Sequence, residues 1–300
     1  MIPAAVRRLD IESRVAIVVL CAVAATAPFV HGTLGGPKAF LLGVIEGITE
    51  FLPVSSTGHL TVTNRLLDLR GEAVDAYAIA IQAGAILAVL TLYWRRVLGL
   101  LAAAVDRRAP ERRLLGALLA AFAPAAILGL AFESAIKDRL FGVGPVAVAW
   151  AVGGILLIVF ARRRFGGRTA LVDLRVAPAL VIGVAQAAAL WPGVSRSLVT
   201  IVAACLVGLT IEAAVEFSFL LGLVTLGAAT GYEILQSGDV LVAELGVAAP
   251  AIGLVAAAAS ALLAVRWMVR YLESRSLAGF GWYRLAAAVV ATALLLAGVV

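Results

Sequence analysis

The sequence predicts an all-α integral membrane protein, an inverted-topology repeat of about seven transmembrane helices and two re-entrant helical hairpins. Three observations carry that prediction. Hydrophobic residues make up 63% of the 300 residues and charged residues 14%, with a mean hydropathy of +1.07, whereas soluble domains run nearer ~45–50% apolar and ~25% charged. The apolar residues fall in long uncharged runs of the kind that cross bilayers. Two further apolar segments are broken by Gly, Pro and Ser and resemble each other. This composition excludes a soluble domain, a disordered chain, a collagen and a disulfide scaffold. The net charge of +6 does not indicate nucleic acid, because no aromatic–basic interleaving accompanies it.

Taken in order, the chain opens with Arg7 and Arg8 before an apolar run over 15–30 that imitates a secretory signal. Pro28 directly after Ala25-Thr26-Ala27, with Asp10 and Glu12 ahead of the run, argues against cleavage, so an extra retained helix is expected. Further spans are expected near 76–94, 114–131, 145–161, 212–231, 247–267 and 284–300. Segments 37–62 and 178–209 are apolar but broken, with polar residues in the middle. Irregular backbone at membrane depth is tolerated where protein or a water cavity satisfies it, so both read as re-entrant hairpins. Cys21 and Cys205 lie in apolar runs and behave as small hydrophobes. His31, beside Gly32, reads as a loop residue.

Of the 24 Lys and Arg residues, 18 fall in four groups. These are Arg7, Arg8 and Arg14; the six arginines between Trp94 and Arg113; the five between Arg162 and Arg175; and Arg266, Arg270, Arg275 and Arg284. Basic loops stay cytoplasmic, which places the N-terminus inside and the C-terminus outside. The segment from Tyr232 to Leu245, with Glu233, Asp239 and Glu244 and no basic residue, reads as an outside loop.

The hairpins match at an offset of 140 residues: Gly43 with Gly183, Val44 with Val184, Val54 with Val194 and Ser55 with Ser195. Phe51 meets Trp191, Thr57 meets Ser197, and Glu46 corresponds to Gln186. Three spans follow each hairpin, so the second copy is inverted relative to the first. Such a design places a site at the midplane where the repeats meet. The chain is one membrane domain: an extra helix over 1–36, one repeat over 37–161 and the second over 176–300.

The first hairpin runs from Glu46 and Glu50 into Pro53-Val-Ser55-Ser56-Thr57-Gly58-His59. Four residues apart, the carboxylates share a helix face, and each charge at membrane depth costs ~2.5–3.5 kcal/mol. A hard divalent cation held by both carboxylates and substrate phosphates would offset this; the plainer reading is two solvated carboxylates at a hairpin mouth. Alone, Ser55, Ser56 and Thr57 read as capping residues. His59, three residues from Ser56, adds a candidate general acid or base, against the plainer reading of a buried imidazole bonded to a carbonyl. In the second hairpin, Ser195-Arg196-Ser197-x-x-Thr200 offers a planar guanidinium among hydroxyls, which suits a phosphate oxyanion. The competing reading of Arg196 is an ion pair with Glu46 or Glu50.

These motifs, with Ile81-Gln82-x-Gly84, Tyr93-Trp-Arg-Arg96 and Glu216-Phe-Ser-Phe-Leu-Leu221, resemble the bacterial undecaprenyl-diphosphatase family over roughly residues 38 to 285. The resemblance implies a membrane phosphatase that removes one phosphate from undecaprenyl pyrophosphate, recycling the lipid carrier of cell-wall synthesis and conferring bacitracin resistance when abundant. It also implies six transmembrane and two re-entrant helices in the bacterial inner membrane, a site facing the periplasm, and dependence on a divalent metal, Mg2+ or Ca2+. By motif, Glu46 and Glu50 resemble the metal-associated carboxylates, Ser56 the nucleophile, His59 the acid/base residue and Arg196 the phosphate clamp. Ser55, Thr57, Ser195, Ser197 and Thr200 line the same loops. Departures are Leu198 in place of a usual Gly, Ala78 in place of an acidic residue, Leu223-Val224 in place of Ile-Pro, and the added N-terminal helix. Expected partners are the prenyl pyrophosphate and membrane lipid, with a homodimer left open. Two other classes compete. A transporter or flippase for a phosphorylated lipid or another anion would need Arg196 but no Ser–His pair. A two-histidine lipid phosphatase needs a second catalytic His, and His31 lacks the motif.

Overall fold

The computed structural model describes residues 11–31, 34–106, 108–162 and 167–300. Arg7, Arg8, Asp10, Gly32, Arg107, Arg163 and Arg164, which entered the charge and topology reading, lie outside the described residues. The described residues form helices joined by turns and loops, with one isolated bridge between Thr169 and Leu209. In order, the helices are α1 (Ile11–Thr26), α2 (Gly36–Thr49), α3 (Ser56–Leu66), α4 (Glu72–Ala80), α5 (Gln82–Val105), α6 (Arg112–Ala131) and α7 (Glu133–Leu140). After these come α8 (Val143–Arg162), α9 (Val176–Gln186), α10 (Arg196–Leu206), α11 (Ile211–Leu245), α12 (Ala248–Ser274) and α13 (Ala278–Leu296).

Seven helical stretches are long and apolar enough to cross a membrane, and each overlaps one of the expected spans. The chain is a multi-pass membrane protein. Between the spans, α2 with α3 and α9 with α10 form two helix–break–helix hairpins at the expected positions. Their arms of 14, 11, 11 and 11 residues extend about 16–21 Å at 1.5 Å per residue, well short of a ~30 Å hydrocarbon core.

The expected boundaries need three corrections. The acidic segment from Tyr232 to Leu245 is the C-terminal part of α11, a continuous helix of 35 residues, not a loop. Thr230, Ser237 and Leu241 form a buried helical stripe there, and Ser237 Oγ donates to Glu72 Oε1 of α4 at 3.4 Å. With no proline in the segment, nothing ends the helix before Gly246, whose φ is 66°. Likewise α5 continues to Val105, so the basic stretch that begins at Trp94 starts as helix. Finally, Arg266 and Arg284 are buried inside α12 and α13 and are not loop charges. Arg266 holds α1 in place through Ser13 Oγ, at 2.6 Å, and the Glu12 carboxylate.

Packing places the hairpins at the centre. Helix α2 lies against α12 and α9 against α6, a reciprocal arrangement of each hairpin on the other half, while α8 packs on α13. Small residues permit the approach. Gly43 abuts the Gly253 backbone of α12, and its repeat counterpart Gly183 abuts the Ala121 backbone of α6. The largest core cluster, including Phe51, Leu52, Val54, Leu198, Phe217 and Phe219, surrounds the two hairpin tips.

Candidate active site

Both tips are built the same way. Ser55 and Ser195 adopt φ of 73° and 76°, a left-handed conformation that is rare for residues other than glycine. Each starts the following helix by accepting, on its side-chain oxygen, an amide three residues on: Gly58 N at 3.3 Å and Leu198 N at 3.3 Å. The Leu198 amide serves the cap and its side chain enters the core.

The tips are fastened to each other. Ser197 Oγ donates to Leu52 O at 2.7 Å. Arg284, fully buried, donates to Gly193 O and Ala149 O at 2.8 Å and to Pro53 O at 3.4 Å. Pro53 and Gly193 are equivalent under the 140-residue offset, so one guanidinium bridges the same carbonyl in both repeats. Trp150 adds a bond from its indole nitrogen to Val54 O at 2.9 Å.

Where the tips meet, a cavity of about 150 Å³ opens, lined by Glu50, Ser55, Ser56 and Thr57 from one hairpin and Ser195 and Arg196 from the other. Ser56 Oγ donates to Glu50 Oε2. The other oxygen of Glu50 accepts from Arg196 Nη2 at 3.0 Å. Arg196 also donates through Nη1 to Ser218 O at 2.8 Å and lies 5.3 Å above the Phe51 ring. Gly222 presses on the guanidinium, so a side chain there would displace it. The result is a serine hydroxyl, a carboxylate and a guanidinium in one line, held by both repeats.

Six of the residues expected at the site meet in the cavity, and four do not. Ser197 and Thr200 are fully buried and structural: Ser197 ties the tips, and Thr200 Oγ1 bonds Arg196 O at 2.8 Å and Ser218 Oγ at 2.7 Å. His59 lies outside the cavity lining. Its Nδ1 is 2.7 Å from Ser55 O and its Nε2 2.7 Å from the Tyr283 hydroxyl. A carbonyl only accepts, so Nδ1 carries the proton and Nε2 accepts from Tyr283. The imidazole thus braces the strained Ser55 instead of facing Ser56, whose partner is Glu50. Glu46 lies one turn before Glu50, also outside the lining and fully buried. Among the described residues no donor is bonded to either of its carboxylate oxygens, and its charged neighbours are Glu50 and Arg196. A buried carboxylate pair of this kind is a donor set suited to a hard divalent cation. Among the described residues no group of three His, Cys, Asp or Glu side chains gathers.

Sequence reading gave no site role to Trp150 or Thr225, counted Arg284 only among the basic groups, and met Gln82 only as part of the family resemblance. Arg284 seemed to sit at the rim of a span expected over 284–300. The apolar run begins at Leu277 and the helix at Ala278, which puts the arginine a turn and a half inside.

Comparison with known proteins agrees with this architecture. Residues 39–290 match the family model described as bacitracin resistance protein BacA. The chain is 48% identical over 254 residues to an undecaprenyl-diphosphatase of Sorangium cellulosum, covering 83% of this chain and 82% of that one. It is 43% identical to an undecaprenyl-diphosphatase of Methylibium petroleiphilum, covering 83% and 91%. It is also 43% identical to undecaprenyl-diphosphatase 2 of Rhodospirillum rubrum, covering 88% and 96%. Helix α1 lies ahead of the matched residues. With a match across most of its length, the chain belongs to the bacitracin resistance protein BacA family.

Proposed function

We propose that this chain is an undecaprenyl-diphosphate phosphatase of the bacterial inner membrane. It releases the terminal phosphate of the lipid pyrophosphate and returns undecaprenyl phosphate to cell-wall synthesis. The observation that carries the chemistry is the bond from Ser56 Oγ to Glu50, with Arg196 on the other oxygen of the same carboxylate. The relatives' printed names supply the substrate class. A transporter has no use for a hydroxyl paired to a carboxylate, and nothing in the cavity favours that reading.

The residues divide the work. Glu50 accepts the Ser56 proton as Oγ attacks the terminal phosphorus. The bond to the bridging oxygen breaks, and its electron pair leaves on the lipid monophosphate. Water then attacks the phosphoserine, and the proton on Glu50 returns to Oγ as inorganic phosphate departs. Arg196 exchanges its bond to Glu50 for the equatorial oxygens, where a planar fork stabilises the developing charge. Glu46 and Glu50 would hold the divalent cation, Mg2+ or Ca2+, which when bound neutralises pyrophosphate charge. His59 holds the tip that presents Ser56.

The two hairpins enter the bilayer from opposite sides as inverted repeats over 37–161 and 176–300, with the N-terminus cytoplasmic and the cavity open to the periplasm. Phosphate release from a prenyl pyrophosphate by the purified protein, with and without EDTA, tests the reading. Release that EDTA abolishes and added Mg2+ or Ca2+ restores is expected; no release under any of these conditions overturns it.

A further inference from the structure

The cavity has a second polar wall that the reaction above does not use. Gln82, Gln186 and Thr225 line the cavity together with the serine and carboxylate residues. Gln186 is buried and loosely held: its Nε2 lies 3.4 Å from Ala121 O, and its Oε1 lies 3.4 Å from Thr225 Oγ1. Both distances are beyond the usual range of such bonds, so the amide is free to turn its donors to a ligand. Thr225 has its better bond, at 2.9 Å, with Leu221 O. Gln186 also stands where the first repeat has Glu46, and the exchange of carboxylate for amide removes a charge that would repel an anion.

This wall has a direction. Gln186 leads into the turn Ala187–Leu190, Thr225 adjoins Leu226, and Ala125 lies one helical turn after Ala121. Leu190, Leu226 and Ala125 form the apolar part of the same cavity lining. A volume of about 150 Å³ is the room of several waters at ~30 Å³ each, enough for a headgroup and too little for a long chain. The prenyl chain must therefore leave the cavity past the apolar residues, two of which, Leu190 and Leu226, follow closely on Gln186 and Thr225 in the chain.

Resting on the phosphatase reading, we infer that Gln82, Gln186 and Thr225 form an uncharged subsite for the phosphate that stays on the lipid. The terminal phosphate then falls at Ser56 and Arg196. Amide and hydroxyl donors hold this retained phosphate without a fixed positive charge, so the monophosphate product leaves readily.

The test uses the purified full-length protein with Gln186→Leu and Thr225→Val. Kinetics are measured on a short prenyl pyrophosphate, with the matching prenyl monophosphate and inorganic phosphate as inhibitors. Each variant should raise KM about tenfold, the weight of one hydrogen bond to a charged group, with a smaller change in kcat. Inhibition by the prenyl monophosphate should weaken by a similar factor, while inhibition by inorganic phosphate stays unchanged. Thr225→Val, nearly equal in shape, keeps the test valid should Gln186→Leu fold poorly. Weakened inhibition by inorganic phosphate alone would reverse the assignment, and unchanged inhibition by both ligands would remove it. An unaltered protein that hydrolyses no prenyl pyrophosphate would instead defeat the underlying phosphatase reading.

Discussion

At the scale of single residues, the proposed chemistry rests on Ser56 and its carboxylate. Glu50 contacts Ser56 and Arg196, the proposed nucleophile and clamp, at once, while Glu46, a turn away, has no donor among the described residues. On the proposal that the pair holds one cation, Glu46→Gln and Glu50→Gln should each cost activity steeply, and the double variant should lose little more than the worse single one. A double loss equal to the product of the single losses would separate the two roles. His59 makes a contrasting case. His59→Phe keeps the ring against Trp150, whose centroid is 4.8 Å away, but loses both hydrogen bonds. Activity should fall about tenfold, the cost of a lost positioning bond, compared with ~10²-fold or more for Glu50→Gln as the lost base. An equal loss in both would restore His59 to proton transfer. Sequence spacing placed His59 near Ser56 correctly, but a three-residue separation says nothing about which way the ring turns. That direction is set by Tyr283, 224 residues away.

Helices and hairpins show what repetition made readable. The 140-residue offset identified Ser55 and Ser195 as partners, and both prove to be strained helix caps with the same bond. It did not reveal Arg284, which has no counterpart in the first repeat because a single side chain serves both tips. Arg284→Lys retains the charge but cannot span the carbonyls of Pro53, Ala149 and Gly193. At least one buried acceptor is then left unpaired, at a cost of ~1–3 kcal/mol, and melting in detergent should fall together with kcat. An unchanged kcat and melting temperature would show that the bridge is dispensable. Helix packing gives a second test. A side chain on Gly43 would overlap the Gly253 carbonyl, so Gly43→Val should destabilise the α2–α12 contact by ~1–3 kcal/mol or more, seen as a lower melting temperature. Val44, the next residue and only half-buried, should tolerate substitution by Ala with little change.

At the scale of the whole molecule, hydropathy located all seven spans, because burial in lipid demands long apolar runs whatever the tertiary contacts. It misjudged where helices end: α11 continues through an acidic stretch whose buried stripe of Thr230, Ser237 and Leu241 is visible only by helical period. Orientation rests on the basic residues that remain outside the core, and cysteine labelling measures it. With Cys21 and Cys205 replaced, Cys introduced at Gly238 should react with an impermeant reagent from outside, and Cys at Arg108 should not. The opposite pattern would invert the molecule. The central claim, that two hairpin tips assemble a serine–carboxylate–guanidinium site for cutting a lipid pyrophosphate, is tested most directly by Ser56→Ala. Phosphate release from prenyl pyrophosphate by the purified variant should drop by at least ~10²-fold while binding of the substrate is retained. Full release by Ser56→Ala would contradict the account.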